Sequence, residues 1–476
     1  MSHADDSTPV EPADGPATEG TTSVATRDEE AAAASPRRHA FAPWVFWPAA
    51  GVILAFVAFA MAFPTVAEGL FGAVQAGIVG AFGWYYVLLA AVFVVFALWM
   101  GLSRYGDIEL GKDDDDPEFS RGSWLSMLFA AGMGIGLVFY GVAEPLSHYA
   151  SPRTGVTGND SELAGQALSQ TYLHWGVHAW SIYIVVGLGM AYAIHRRGRP
   201  VSIRWALEPL LGDRVKGVWG NVIDVVSVVG TLVGVATSLG LGVLQISAGL
   251  AATGIAEPTI VVQVVLIAAI TGVTIFSLVS GVTKGMKWLS NTNIVLAALL
   301  LVFVLVSGPT LFLLRDFVQS LGAYLQNVVG LTFTVSAFSG AEGEAWQGSW
   351  TTFYWGWWMS WAPFVGIFIA RISKGRTVRE FVVGVLVVPT VLTFLWFSVM
   401  GGAALYREVF GGGGLVSSDG SVDTEGALFE MLQGLPGGSV AVFGAILLIG
   451  LFFITSAAWT PSRRRRSSRP CRSASS

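Results

Sequence analysis

The sequence predicts an all-α polytopic membrane protein, and three observations carry that prediction. Mean hydropathy is +0.62, and 53% of the 476 residues are hydrophobic, whereas only 12% are charged, about half of what soluble domains carry. Apolar stretches of about 20 residues, the length that a spanning helix needs, recur along the chain. Lys and Arg are concentrated in alternate connections. The ten predicted spans lie at about 41–63, 77–102, 123–143, 173–196, 219–252, 257–281, 291–314, 350–372, 380–405 and 439–457.

The Lys and Arg distribution sets the predicted orientation. With the N-terminus in the cytoplasm, the cytoplasmic segments hold 17 of these residues and the opposite segments hold three. Positive residues are retained on the cytoplasmic side, so we predict a multi-pass protein of the cell membrane. Residues 1–40 are acidic and poor in large apolar side chains, which predicts a disordered cytoplasmic segment before the membrane domain at 41–457.

Three segments depart from simple spans. The fifth span is too long for one straight crossing, which predicts a tilt, a break or a surface extension. Apolar residues recur at helical spacing within 315–349, so we predict an amphipathic helix region on the outer surface. The glycine-rich segment 406–438 predicts a flexible outer loop.

The third and eighth spans predict an internal repeat. They start on opposite sides of the membrane, each at a polar segment that contains a Trp, Ser123–Trp124 or Ser349–Trp350. Five spans separate their starts, and a repeat with an odd number of spans must be inverted. Inverted repeats build sites near the bilayer midplane in many secondary transporters. We therefore predict LeuT-like inverted five-helix repeats, spans 3–7 and 8–12, here truncated after span 10.

Three glycines, Gly132, Gly134 and Gly136, lie midway along the third span. Gly132 and Gly136 form a GxxxG pair, which is typical of close helix packing. Three glycines in five residues also weaken a helix. An unwound segment would free carbonyl groups for a cation or amide groups for a carboxylate. The sequence leaves both interpretations open.

The run from Trp346 to Trp361 holds six of the 18 tryptophans. Trp361 is ten residues from the charged end at Arg371, which places it roughly 15 Å deep in a hydrocarbon core about 30 Å thick. Interfacial belts explain tryptophans at the ends of a span but not at its centre. Trp346 and Trp350 therefore fit interfacial anchors, and Trp355 stays undecided. The residues spaced three and four apart on one face are Tyr354, Trp357, Trp358 and Trp361.

The fourth span carries a second aromatic group. Trp175, Trp180 and Tyr183 fall within an arc of about 140° on a continuous helix. Single aromatic residues in a bundle usually pack, but two helices with Trp at matched depth suit a quaternary ammonium group, which aromatic cages bind. His174 and His178 are four residues apart and lack an evident third metal ligand, so we assign them structural roles.

Hydroxyl groups in two spans are candidates for polar contacts. Ser238 in the fifth span either faces a site or bonds back to a helix carbonyl. Thr455 and Ser456 end the tenth span and suit a sodium ion, a hard cation that prefers oxygen ligands. The sequence contains no nucleophile–base pair, metal constellation or phosphate loop, so we predict that the protein is not an enzyme.

Several stretches together resemble the betaine/carnitine/choline transporter (BCCT) family. The resemblance runs from about 41 to 457, and its last stretch is the most specific. The stretches are AAGMGIGLVFYGVAEPLSHY (130–149), LHWGVHAWSIY (173–183), ATSLGLGVLQI (236–246), GMKWLSNTNIVLAALL (285–300) and WTTFYWGWWMSWAPFVGIFIARISKGRTVREF (350–381).

The resemblance implies that aromatic residues of the fourth and eighth spans cage a trimethylammonium group. It also implies that sodium-coupled members bind the ion with third-span carbonyls and tenth-span positions. The predicted substrate-binding residues are Trp175, Trp180, Tyr183, Ser238, Trp357, Trp358, Trp361, Gly132, Gly134 and Gly136. The predicted sodium-binding residues are Ala130, Met133, Phe452, Thr455 and Ser456.

The resemblance further implies a secondary transporter that takes up glycine betaine or a related trimethylammonium osmolyte by sodium symport, with no cofactor besides the coupling ion. Choline carriers of the family tend to have an acidic residue where this chain has Gly136, which favours betaine. Val235 stands where sodium-coupled members commonly have Thr, which argues against a second sodium site. A choline or carnitine carrier, a ligand-gated channel and a non-transporting sensor are the alternatives. The expected partners are the substrate, sodium, the lipid bilayer and further copies in a homotrimer, with no nucleic acid.

The tail at 458–476 departs from the family pattern, which continues with an Asp and two further spans. It is a polybasic segment that would meet anionic lipid. Reading the codons of Trp459, Thr460 and Pro461 from one base earlier restores an Asp in that place. We therefore expect a frameshift near 457 and a gene product about two spans longer. The alternative is an inactive truncated product.

Overall fold

The computed structural model describes residues 42–113, 115–132, 134–280 and 283–457, without the side chains of 129–132, 277–280, 283–290 and 455–457. The predicted N-terminal segment at 1–40 and the tail at 458–476 lie outside the described residues. Within these ranges the regular structure is helical apart from two isolated bridges. The helices are α1 (Pro43–Ala62), α2 (Pro64–Leu102), α3 (Arg121–Gly132), α4 (Ile135–Ala150), α5 (Asp160–Trp175), α6 (Val177–Ala191), α7 (Glu208–Leu211), α8 (Val218–Ala252), α9 (Ile260–Ser280), α10 (Thr283–Ser307), α11 (Thr310–Thr332), α12 (Gly340–Gln347), α13 (Phe353–Ile372), α14 (Val378–Phe410), α15 (Ala427–Gln433) and α16 (Gly438–Ala457).

Most of the predicted spans are long apolar helices. By length and composition, five described helical segments can cross a membrane: α1, α2, α5–α6 taken as Asp160–Arg196, α8 and α14. The pair Asn291–Ser307 and Thr310–Thr332, bent by 111°, makes a sixth if it is one span, and two shorter apolar helices lie at Ile260–Phe276 and Gly438–Ile454. Eight of the ten predicted spans fall in these segments. The other two, the third and the eighth, are the interrupted α3–α4 and the tryptophan-rich α13.

Of the two longest helices, α2 departs from its predicted bounds and α8 matches them to within one residue. α2 begins at Pro64, thirteen residues before the predicted start of the second span, and runs for 39 residues. α8 is one helix of 35 residues. A break was one predicted explanation of the long fifth span. That explanation is wrong, because α8 is continuous from Val218 to Ala252.

The two segments predicted to lie outside the spans are both structured. Residues 315–349 contain most of α11, then α12 and the start of a π-helical turn at Gly348–Thr352. The chain bends between α10 and α11 at Gly308–Pro309, where proline cannot continue a helix ladder. The prediction of a loop at 406–438 is confirmed only in part, because residues 411–426 lie outside the regular helices and the flanking residues are helical. Here α14 continues to Phe410, and α15 buries Leu428 and Phe429 against the rest of the bundle.

Two connections pair with each other at one end of the bundle. The amide of Leu110 donates to the Arg376 carbonyl at 2.7 Å, and the amide of Gly375 donates to the Leu110 carbonyl at 3.0 Å. We call residues 108–110 and 375–378 the loop clamp. The buried Arg376 guanidinium lies 4.4 Å from the centroid of the Trp124 ring and donates to the Phe119 carbonyl at 2.7 Å.

Candidate functional site

The third predicted span is broken at its glycines. α3 ends at Gly132, and α4 begins at Ile135 after Gly134, which has an extended backbone (φ −108°, ψ 176°) and no side-chain cap. The structure therefore contains the interruption that the unwinding interpretation requires. Met133 lies outside the described residues. The first amide groups of α4 have no helical partner, and a helix N-terminus favours negative charge.

The fourth predicted span is broken as well, at Gly176. A Cβ atom there would lie 2.5 Å from the ring of Phe394 and 2.7 Å from the Tyr172 carbonyl, so only glycine fits. The break places Trp175 at the end of α5, and Trp180 and Tyr183 on α6. The arc computed for a continuous helix therefore does not apply to these three residues.

Five aromatic rings from three helices form the candidate cation cage, which we define as Trp175 (α5), Tyr183 (α6), and Tyr354, Trp357 and Trp358 (α13). Trp357 and Trp358 are stacked with centroids 5.0 Å apart. The Trp175 ring stands at 69° to that of Trp358, 5.0 Å away, and at 76° to that of Trp357, 6.1 Å away. Tyr183 meets Trp358 edge-on at 6.3 Å. All five side chains are buried.

Gly136 forms the floor of the cage. A Cβ atom at this position would lie 2.9 Å from the Cη2 atom of Trp175 and 3.0 Å from that of Trp357. Both indole edges thus reach the backbone of the first turn of α4. Gly134, two residues earlier, has nothing within 4 Å of the corresponding position. The three glycines therefore differ in role: Gly136 gives room to the rings, whereas Gly132 and Gly134 flank the helix break.

The indole N–H groups of the cage have different partners. Trp358 donates to the His174 carbonyl at 2.9 Å, which is free because the break at Gly176 ends the helix there. Trp175 donates to the Glu144 carboxylate at 2.6 Å. The buried Nε1 of Trp357 has no partner among the described residues. Trp357 is therefore the cage residue whose N–H group is available to a ligand.

Two of the predicted aromatic residues, Trp180 and Trp361, lie apart from these five rings. Trp180 packs edge-on against Tyr183 at 5.5 Å and so lies one ring further out. Trp361 is half-buried against α8, where its Nε1 would lie 2.9 Å from a Cβ atom at Gly234. Ser238 is buried one turn further along α8. Trp355, which the sequence left undecided, stacks on His178 at 5.3 Å.

Trp346 and Trp350 are more than interfacial anchors. Both rings pack on the buried His148, at 5.3 Å and 4.5 Å between centroids. Trp346 also donates to the Ser151 carbonyl at 3.1 Å. The prediction of ordinary anchors is incomplete, because α4 ends beside the turn that precedes α13.

A carboxylate that the sequence prediction passed over organises the site. Glu144 of α4 is fully buried and accepts four hydrogen bonds. Its Oε1 atom accepts from His174 Nδ1 at 2.7 Å and from His148 Nε2 at 3.2 Å. Its Oε2 atom accepts from Trp175 Nε1 at 2.6 Å and from the Tyr354 hydroxyl at 2.5 Å. The available signal was an acidic residue inside a membrane segment, which is a functional-site candidate by default.

The two histidines of the fourth span have separate partners. His174 and His178 lie on opposite sides of the break, and His178 Nε2 bonds to the Thr332 hydroxyl at 2.9 Å. Glu144, His148 and His174 instead bring three ligand-type atoms within 4.8 Å of one another. By geometry this group could hold a metal ion, but the carboxylate oxygen that would bind it already accepts both imidazole N–H groups.

The predicted sodium-binding residues lie largely beyond what the structure describes. Met133 and the side chains of Thr455 and Ser456 are outside the described residues, and Ala130 is described only as helical backbone. Phe452 is buried on α16. Two isoleucines lie next to Gly242 of α8. A Cβ atom at Gly242 would be 2.1 Å from Ile135, which follows the helix break, and 3.7 Å from Ile449, which is three residues before Phe452. The break in the third span and α16 are therefore neighbours.

Broken helices that meet at an aromatic site inside an apolar bundle are typical of secondary transporters. A sequence profile described as BCCT, betaine/carnitine/choline family transporter, matches residues 44–460. The chain belongs to this family, and it is a polytopic membrane transporter rather than an enzyme.

Relatives named as transporters align over most of the chain. An uncharacterized transporter of Mycobacterium tuberculosis (strain ATCC 25618 / H37Rv) is 54% identical over 417 residues, which cover 87% of this chain and 70% of the relative. A glycine betaine transporter of Bacillus subtilis (strain 168) is 46% identical over 87% of this chain and 80% of the relative. A high-affinity choline transport protein of Escherichia coli (strain K12) is 39% identical over 87% of this chain and 61% of the relative.

Proposed function

We propose that this transporter takes up glycine betaine or a closely related trimethylammonium solute across the cell membrane, with sodium as the coupling ion. The observation that carries the proposal is the cation cage. A quaternary ammonium group has no N–H to donate, so it is bound by aromatic faces rather than by hydrogen-bond acceptors. The Trp175 and Trp357 rings meet above Gly136, with the break in the third span beside them.

The surroundings of Gly136 favour betaine over choline. The two indole edges leave no room for an acidic side chain at this position without moving the cage. A zwitterion brings its own carboxylate and needs donors instead. The unpartnered indole N–H of Trp357 and the first amide groups of α4 are such donors.

Sodium coupling is supported by the contact between the helix break and α16. In this proposal the carbonyl groups of Ala130 and Met133 and the positions of Phe452, Thr455 and Ser456 would supply the oxygen ligands that a hard cation prefers. The meeting of Ile135 and Ile449 at Gly242 places the two segments side by side. Occupancy of such a site would tie the broken third span to α16, and rocking of one helix group against the other would give alternating access.

The charge distribution gives the orientation that we propose, with the N-terminus in the cytoplasm and the loop clamp on the cytoplasmic side. A homotrimer remains our expectation for the assembly. The principal alternatives are a choline or carnitine carrier and a sensor or ligand-gated channel on the same fold. They differ from a betaine symporter in substrate preference, in sodium dependence and in whether uptake is concentrative.

Uptake into proteoliposomes tests the proposal directly. Labelled betaine, choline and carnitine would be offered with and without an inward sodium gradient. We expect concentrative betaine uptake that needs the gradient. Betaine uptake indifferent to sodium would refute the symport, and downhill flux alone would favour a channel. Preferred uptake of choline would overturn the substrate assignment.

Trp357→Leu tests the cage, because it removes a ring whose indole nitrogen bonds to nothing among the described residues. Loss of one desolvated cation–π contact costs about 2 kcal/mol, so the KM for betaine should rise roughly thirtyfold. Trp84→Leu, on the exposed side of α2, makes the same change away from the cage and should transport normally. Equal KM values for the two variants would exclude the cage as the binding site.

A further inference from the structure

The hydrogen bonds of Glu144 indicate that its carboxylate is ionised. A carboxylate has about four acceptor sites and no donor. All four sites are used, two on each oxygen, and each partner can donate: the indole N–H of Trp175, the hydroxyl of Tyr354 and, in the tautomers that their other contacts favour, one N–H of each imidazole. A protonated carboxyl group would add its own hydrogen to a site where each acceptor position already faces a donor, and that hydrogen would have no acceptor.

The two histidines that bond to Glu144 are neutral. His174 donates from Nδ1, and its Nε2 faces the Thr351 hydroxyl at 3.0 Å and the Gln170 amide nitrogen at 3.1 Å, so Nε2 accepts. His148 donates from Nε2, and its buried Nδ1 has no partner among the described residues. A hydrogen on that atom would be a buried unsatisfied donor, which is costly. No described Lys or Arg pairs with Glu144, so the cluster carries one net negative charge.

This negative charge lies directly behind the cation cage. Trp175 and Tyr354 are cage residues, and each presents its N–H or O–H edge to the same carboxylate oxygen. A ring that donates to an anion gains electron density on its faces, and the ring face is what attracts a cation. The charge is also desolvated, so its attraction for a cation in the cage is screened little.

We propose that Glu144 is the positioning residue and remote counter-charge for the bound trimethylammonium group. It acts through Trp175 and Tyr354 without touching the substrate. It also fixes the angle between these rings, since one carboxylate ties α4, α5 and α13 together. The inference rests on the proposed function and deepens it: part of the selectivity for a cation comes from a carboxylate outside the cage.

Glu144→Gln tests this role, with Asp316→Asn as the matched control. The half-buried Asp316 carboxylate accepts from the Ser320 hydroxyl at 2.9 Å. The assay compares inhibition of betaine uptake by unlabelled betaine and by 3,3-dimethylbutyrate, in which a neutral tert-butyl group replaces the trimethylammonium group. We expect Glu144→Gln to weaken betaine about tenfold more than the neutral isostere. Asp316→Asn should keep the wild-type ratio. A purely structural role would weaken both ligands equally, and that outcome overturns the proposal.

Two further measurements cover the other outcomes. If Glu144→Gln does not reach the membrane, Tyr354→Phe removes one hydrogen bond to the carboxylate and keeps the ring. It should lower the ratio of betaine to isostere affinity severalfold, and an unchanged ratio overturns the proposal.

If the wild-type protein takes up no betaine, the proposed function fails by itself. Quenching of tryptophan fluorescence by tetramethylammonium in purified wild-type and Glu144→Gln protein then still decides the role of Glu144: equal quenching refutes it.

Discussion

Tryptophan lies against a buried charge at both the cation cage and the loop clamp, but the two charges have opposite signs. At the clamp the charge is the Arg376 guanidinium, which lies over the face of Trp124 and occupies it. At the cage the charge is the Glu144 carboxylate, which bonds to the edges of Trp175 and Tyr354. No described Lys or Arg side chain lies over the cage rings. A ring whose face is covered by a cation of the protein has a structural role. A ring that bonds to an anion at its edge and has no protein cation over its face is suited to bind a cationic ligand.

The comparison predicts that damage at the clamp affects stability and damage at the cage affects affinity. Trp124 is buried, and its indole N–H donates to the Ser373 hydroxyl at 3.0 Å. Trp124→Ala should lower the free energy of unfolding by about 3–5 kcal/mol, because it leaves a cavity beneath Arg376. Thermal unfolding in detergent would measure the loss. Folded variant protein should bind betaine with unchanged affinity, and a large rise in KM would remove the distinction between the two regions.

Two neighbouring glycines sharpen the comparison within the cage itself. Gly136→Ala would place a methyl group 2.9 Å and 3.0 Å from the indole edges of Trp175 and Trp357. Overpacking of this kind costs about 1–3 kcal/mol, and since the rings are the ligand site, we expect roughly tenfold weaker betaine uptake affinity. Gly134→Ala meets nothing within 4 Å and has a backbone that any residue adopts, so it should keep wild-type affinity. Equal effects would show that the glycines act only through the helix break.

The smallest expected effect is at the exposed rim of the clamp. Arg121 pairs with Glu380 at 2.9 Å, but its side chain is 82% exposed. Exposed ion pairs contribute little, so Arg121→Ala should change the free energy of unfolding by less than about 0.5 kcal/mol and leave uptake unaltered. The measurement is the same thermal unfolding, at low and high salt. A loss as large as that of Trp124→Ala would mean that the ionic rim, rather than the buried Arg376–Trp124 contact, holds the clamp.

Much of the architecture could be predicted from local patterns. Hydropathy identified eight of the spans that the structure contains as long or short apolar helices. Three closely spaced glycines made an interruption of the third span one of two open interpretations, and the structure contains that interruption. The fourth-span break at Gly176 was missed, although the cause is visible in the structure: Phe394 and the Tyr172 carbonyl occupy the space of a side chain. That contact joins positions more than two hundred residues apart, which helical periodicity cannot report.

Local sequence patterns are enough to define the class of the protein, because burial in lipid imposes length, hydropathy and charge asymmetry on every span. They also predict which tryptophans lie deep in the eighth span, since depth and helical spacing are local properties. The three-dimensional arrangement selects which of them meet: Trp357 and Trp358 join Trp175, while Trp361 contacts α8 and Trp355 contacts His178. It alone assigned Glu144, whose partner Tyr354 lies 210 residues away. A carboxylate acquires its role from the donors that fold around it, and those donors come from three different helices.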